Sequence, residues 1–355
     1  MATLSDVSPA RRPRRILRWL RNGLIGVGIL IVLAVVAGAS YQAIETRKDS
    51  RRFPQQGKSV RLEDFSLNLD CSGQGSPTVI LDSGLGVPAV GWKFVQQDVA
   101  KFTRVCSYDR AGYGWSDAAP LPRTSAQIVK ELHALLEAAG EKGPYVLAGH
   151  SFGGYNIRVY NGSYPNDVSG MVLVDASHED QTSRMPPSLQ AFMDKQVASL
   201  KWQKLLAPVL IRLGIARLTD DDSDGFGLSK EFRQEIRYLG LQSKFVDATI
   251  AELEAFSESA GQVRAAGNLG DKPLIVLTAG KSVDEKSLPK GIPVKEMDDF
   301  RAIWMNELQV REARLSTAGK QVIVPDSDHM IPFERPDAVV AAIREVCAAA
   351  GARSR

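Results

Sequence analysis

Apolar positions fall into two regimes along the chain. Residues 23–39 form an unbroken run without a charged side chain, whereas from residue 59 onward short apolar runs alternate with stretches of helical spacing. The runs at 59–62 and 65–71 read as strands, and Gly73-Gln74-Gly75-Ser76-Pro77 turns the chain into a third at 78–81. A helix is predicted over 92–102 and a strand over 104–108. After a glycine-rich loop at 109–117, a helix over 124–139 carries Ile128, Leu132, Leu135 and Leu136 on one face. Later strands are predicted at 145–148, 171–175, 273–277 and 321–324. Short buried strands alternating with helices make a mostly parallel sheet covered on both faces, so the predicted class is α/β. Between 177 and 270 the alternation stops. Helical patterns at 189–206 and 231–245, parted by the acidic turn Asp220-Asp221-Asp222-Ser223-Asp224-Gly225, read there as an inserted helical lid that divides a core of 59–176 and 271–350.

Charge separates the N-terminal part from the rest. Residues 1–22 form a basic region with Arg11, Arg12, Arg14, Arg15, Arg18 and Arg21, and the uncharged run that follows, extended to residue 42, has the length of a short membrane-spanning helix. A cleaved signal peptide is the alternative, since Ala37-Gly38-Ala39 forms an A-x-A site. With the six arginines inside, the remainder lies outside the cytoplasm; Arg47, Lys48, Arg51 and Arg52 oppose that bias from a polar linker at 43–58. Residues 1–52 hold a net +7, which leaves −4 of the chain's +3 total for the rest. A mildly acidic catalytic portion gives no electrostatic reason to expect a nucleic-acid partner. Cys71, Cys106 and Cys347 are too few and too scattered for a structural metal site, and no cofactor motif is evident.

Candidate chemistry centres on Gly149-His150-Ser151-Phe152-Gly153, a G-x-S-x-G between an apolar run and a helical stretch. This context exposes a serine hydroxyl at a strand-to-helix turn, with glycines where a side chain would strike the neighbouring backbone. Serine is a weak nucleophile at neutral pH and needs a base. Of four histidines, His133 falls in a predicted helix, His150 is turned away inside the elbow and His178 begins the lid. His329, in the loop after the last strand, is the expected base.

The Ser83-Gly84 turn, the Asp109–Asp117 loop, the elbow and Asp326-Ser327-Asp328-His329-Met330 together resemble the α/β-hydrolase fold superfamily, in the serine branch with a helical cap, over roughly 59–350. The resemblance implies a strand order of one, two, four, three, five onward. It also implies Ser151 as nucleophile, His329 as base, and the backbone N–H groups of Leu85 and Phe152 as oxyanion donors. Ser83 stands where this turn usually carries histidine. Two carboxylates compete as third member: Asp284, near the commoner family position, and Asp175, preferred because it closes an apolar strand at the sheet's carboxyl edge. Asp109 and Arg110 are expected to hold their loop near the site, and Trp92 and Trp115 are candidates either for lining an acyl pocket or for packing. The implied strand order sets Cys71 beside Cys106, where two buried thiols are favoured over a disulfide.

The resulting expectation is a serine hydrolase that cleaves a carboxylic ester of a small-molecule acyl substrate, one of hydrophobic type being favoured by the apolar lid. Thioesterase, lactonase, aminopeptidase and haloperoxidase chemistry share the first step, and a non-catalytic binding protein would keep the pocket. Aspartate-nucleophile members such as epoxide hydrolases are disfavoured by serine at 151.

Overall fold

A computed structural model describes residues 13–218 and 227–353. Arg11 and Arg12 and the acidic turn at 220–225 lie outside the described residues. The chain opens with a long helix, α1 (Pro13–Arg52), so the stretch expected as a linker is helical for most of its length. Residues 43–52 contain neither glycine nor proline, and Lys48 pairs with Glu45 one turn away at 2.7 Å. Only 53–57 is left to connect. Pro54 disfavours helix at Phe53, whose buried ring stacks on Tyr238.

An antiparallel pair, β1 (Lys58–Arg61) and β2 (Ser66–Ser72), leads into β3 (Thr78–Asp82), α2 (Lys93–Val99), β4 (Val105–Tyr108), α3 (Ser125–Ala139), β5 (Tyr145–His150), α4 (Phe152–Ser163) and β6 (Val168–Val174). Six helices then intervene: α5 (Gln181–Arg184), α6 (Pro187–Arg212), α7 (Ile215–Leu218), α8 (Lys230–Gly240), α9 (Ser243–Glu254) and α10 (Phe256–Ala265). The single helix expected over 231–245 is thus two, broken at Leu241 and Gln242. β7 (Leu274–Ala279) follows. Next comes an excursion absent from the sequence-based expectation, in which α11 (Val294–Ile303) passes through a π turn (Trp304–Leu308) into α12 (Gln309–Ala313). β8 (Gly319–Val324), α13 (Ile331–Glu334) and α14 (Pro336–Arg353) complete the fold.

The eight strands form one sheet in the order β1-β2-β4-β3-β5-β6-β7-β8, parallel from β4 onward. Helices cover both faces because the central strands are apolar on both sides: β3 and β5 are buried at every position. One core layer joins Ile80, Leu147 and Leu173 to residues of α3, α4 and α10; the other joins Val79, Val146 and Val172 to residues of α2 and α14. Central parallel strands that end at one edge present their C-terminal loops together, and that edge is where such sheets bind ligands.

Cys71 and Cys106 form a disulfide, contrary to the preference for free thiols. Strand adjacency alone left the pairing open. The β2–β4 register sets the two residues directly opposite each other, with their Cα atoms 4.1 Å apart. Cys347 is free and buried.

Candidate active site

Ser151 stands between β5 and α4 with φ 53 and ψ −120. Asp175, just past β6, has φ 40, and these are the non-glycine residues with positive φ among the described residues. Such conformations cost of order 1–3 kcal/mol each and persist only where surrounding structure enforces them. At Ser151 the enforcement is visible. Its N–H donates to the Val174 carbonyl at 3.2 Å, and its carbonyl accepts from Gly154 and Ser177 at 2.9 and 3.0 Å. A Cβ on Gly149 would strike the Gly153 carbonyl, and one on Gly153 would strike the Asp82 carbonyl. The turn is therefore restricted to glycine at both flanks.

The strain is matched by contact. His329 Nδ1 lies 2.6 Å from Asp175 Oδ2, and its Nε2 lies 3.0 Å from Ser151 Oγ. A carboxylate only accepts, so Nδ1 carries the proton and Nε2 is left to receive one from the hydroxyl. Burial alone would lower the His329 pKa. The hydrogen bond and charge of Asp175 outweigh it, Asp328 adds in the same sense, and the pKa sits above the ordinary imidazole value. Burial would raise the Asp175 pKa, but His329, with help from Trp304 and the Ala279 N–H, brings it below the ordinary carboxylate value.

Asp284 is not part of this chain of contacts. It is exposed on the loop after β7 and caps its own short turn, accepting from the Lys286 N–H at 3.0 Å. The other histidines are also placed elsewhere. His133 stacks on Tyr164 at 3.8 Å, and His178 Nδ1 accepts from the Asp180 N–H at 3.0 Å. His150 is buried behind the site. Its Nε2–H donates to the His329 carbonyl at 2.8 Å, and burial, followed by the nearby His329, pushes its pKa down to about 3, so it stays neutral while it holds the loop that carries His329.

Two further contacts on Asp175 were not foreseen. Its Oδ1 accepts from the Trp304 indole N–H at 2.9 Å and from the Ala279 N–H at 3.0 Å. Trp304 begins the π turn, a helix irregularity frequent at functional sites, and nothing near residue 304 in the sequence signals its partner 129 positions away. A cavity of about 500 Å³ opens in front of Ser151 and His329. Its apolar lining comes from Met185, Leu288, Met297, Phe300 and Trp304, so the segment between β7 and β8 walls it more than the helices of 177–270 do. Trp92 and Trp115 do not line it. Trp92 is core beneath β3 and β4, and Trp115 packs beside Val90 and Phe232.

A model of the alpha/beta hydrolase family matches residues 79–342, most of the chain. The chain belongs to the alpha/beta hydrolase family. Among curated relatives, efuK of Hormonema carpetanum, named a probable transporter, is 27% identical over 292 residues, 77% of this chain but 39% of the relative. The chain thus spans about two-fifths of that protein's length. Among solved structures, a thermophilic esterase from Thermogutta terrifontis superposes with a TM-score of 0.53 at 22% identity, covering 83% of this chain and 99% of the esterase. The epoxide hydrolase CorEH superposes with a TM-score of 0.60 at 16% identity, covering 82% of this chain and 98% of its own. At these identities the likeness is one of fold.

In this α/β hydrolase the turn that faces Ser151 is braced from beneath. Gly84 lies against the elbow, where a Cβ would sit 3.3 Å from that of Ser151, so the Leu85 N–H is carried on backbone next to Ser151. Phe152 opens α4, and the first N–H groups of a helix lack intrahelical acceptors. The buried Arg110 guanidinium donates to the Ser83 and Gly84 carbonyls at 2.6 and 3.0 Å, and pairs with Asp82 at 2.9 Å and Glu252 at 2.8 Å. Tyr113 accepts from the Gly86 N–H at 3.1 Å and donates to Glu252 at 2.7 Å. Asp109 accepts from the Ala89 N–H at 2.8 Å. Glu252 belongs to α9, so one carboxylate from the helical insertion ties it to the turn beside Ser151. Glu252→Gln removes one of the two carboxylate charges that offset the buried Arg110 guanidinium and is expected to cost about 3 kcal/mol. Urea unfolding measures this; an unchanged midpoint would contradict the bracing role.

Proposed function

We propose that the protein is a serine hydrolase that cleaves carboxylic esters through an acyl-enzyme on Ser151. Ser151 Oγ attacks the carbonyl carbon while His329 Nε2 takes its proton. The negative carbonyl oxygen is held by the N–H groups of Leu85 and Phe152, each donor contributing roughly 3 kcal/mol to the transition state. His329 returns the proton to the departing alkoxide. Water then attacks the acyl carbon, gives a proton to His329, and releases the acid as Ser151 is re-protonated. Asp175 keeps the imidazole in the required tautomer and balances its transient charge. The observation that carries this reading is the continuous Asp175–His329–Ser151 contact, with strained backbone at both of its ends. The apolar cavity wall supports a hydrophobic acyl group.

We further propose that α1 anchors the protein in a membrane with the catalytic portion outside the cytoplasm. Residues 17–52 are long and apolar enough to cross, and a disulfide fits an oxidising compartment. Export after cleavage behind Ala39 is the competing outcome; the mass of the mature chain distinguishes the two.

Turnover of a graded series of aryl and alkyl esters tests the chemistry. Because only neutral His329 can accept a proton, and its pKa is raised, activity should fall as pH drops through a value above about 6.5, the level of an ordinary imidazole. No ester turnover across the series, or an acidic limb below that value, would contradict the reading.

A further inference from the structure

The helix α6 is apolar on two faces. Lying on α9, it buries Leu200 and Ile211. On the opposite face Trp202, Leu205, Leu206 and Val209, at the i, i+3, i+4, i+7 spacing of a single stripe, are 66, 64, 48 and 49% exposed. A helix on a water-facing surface carries polar residues at these positions. This stripe has none.

The stripe runs directly into α1. Leu213 continues it past the end of α6, and its carbonyl packs on Gly38, where any side chain on α1 would collide with it. The Tyr41 ring lies against Gly214. One turn further on, Arg217 of α7 pairs with Asp49 at 2.7 Å and donates to Gln42 at 2.8 Å and Thr46 at 3.3 Å. The contact therefore begins where the uncharged run of α1 ends. Above it, Leu24 to Val36 are exposed apolar side chains; beside it, Leu218 of α7 is 74% exposed. Arg212, the last residue of α6, is exposed beside this contact, and Arg47 and Arg51 are exposed further along α1.

We propose that the outer stripe of α6, together with Leu218, rests in the interfacial layer of the lipid bilayer that α1 crosses. Continuity selects lipid as the occupant. The outer stripe of α6 leads through Leu213 to the end of the uncharged run of α1, at a contact fixed by an ion pair and two hydrogen bonds. Trp202 is the side chain type that favours the headgroup boundary, and the exposed Arg212 at the end of α6 suits anionic headgroups. At 26 residues α6 is about 39 Å long. Its other end follows Met185, which lines the catalytic cavity, so docking would hold the catalytic portion at two points and fix the orientation of the cavity to the membrane.

The proposal rests on α1 crossing the bilayer, and the experiment separates the two. Cys71 and Cys106 are paired and Cys347 is buried, so single cysteines introduced in the full chain carry a nitroxide label selectively. Leu205→Cys and Leu206→Cys report the stripe, Ile31→Cys reports α1, and Ala341→Cys on α14 reports an aqueous surface. In vesicles of phosphatidylcholine and phosphatidylglycerol, collision with oxygen marks lipid and collision with a nickel chelate marks water. The oxygen-to-nickel ratio at 205 and 206 should exceed that at 341 several-fold, in the same sense as at 31. A ratio at 205 and 206 equal to that at 341, with 31 in lipid, would overturn the docking and leave the anchor standing. Position 31 reading as aqueous would overturn both. Labels at 205 and 206 shielded from both probes would mean that protein covers the stripe, and would overturn lipid as its occupant.

Discussion

Ser151→Ala should lower ester turnover by a factor on the order of 10⁶ while leaving the fold intact, because residues that act as one unit lose nearly their whole effect when the nucleophile goes. Alanine leaves His329 Nε2 without the hydroxyl 3.0 Å away. The N–H groups of Leu85 and Phe152 would still polarise a bound carbonyl, so a residual rate above that in water should persist. The backbone conditions at position 151 are the same for alanine as for serine, since both are L residues held at φ 53 by neighbouring carbonyls and glycines. Thermal unfolding should therefore move little. A comparable loss of activity and stability together would point to a structural role for the hydroxyl instead.

Asp175→Asn should cost roughly 10⁴-fold in kcat, whereas Asp284→Asn should stay within a few-fold of the parent. The amide fills the same space as the carboxylate but cannot balance an imidazolium, and its NH2 group favours the wrong histidine tautomer. Removing the charge that raises the His329 pKa should also move the acidic limb of the pH profile downward in whatever activity remains. Asp284 caps an exposed turn, so its amide keeps most of that local bond. Steady-state kinetics on both variants decide the assignment. Near-parental activity in Asp175→Asn with a collapse in Asp284→Asn would reverse it.

The contrast between these two aspartates marks how far the sequence could be read. Both follow a buried parallel strand of the core, and spacing alone favours neither strongly. What separates them is three-dimensional. Asp175 sits at the strand edge with its N–H on the Leu277 carbonyl at 2.7 Å and its backbone strained, whereas Asp284 lies five residues beyond the end of β7. The central strands were legible because burial on both faces makes them continuous apolar runs, and the elbow because its glycines follow from steric contact. The wall of the cavity was not. Trp304 reaches Asp175 through a π turn set by long-range packing, and the helices around it carry mixed polarity that marked no element. The two tryptophans considered for that wall, Trp92 and Trp115, belong to packing elsewhere. The disulfide depended on strand register, which sets Cys71 opposite Cys106 and which composition cannot supply. Residues 43–52 looked like a linker because they are polar; with no glycine or proline to break it they continue α1, and Asp49 is held by Arg217 of the insertion.

The most direct test of the acyl-enzyme is to quench the reaction with an activated ester during its first turnover and weigh the peptide that contains Ser151. The expected result is one acyl group on Ser151, formed in a burst and lost as product accumulates. Steady turnover with Ser151 unmodified at every quench time, or an acyl group carried by another residue, would contradict it.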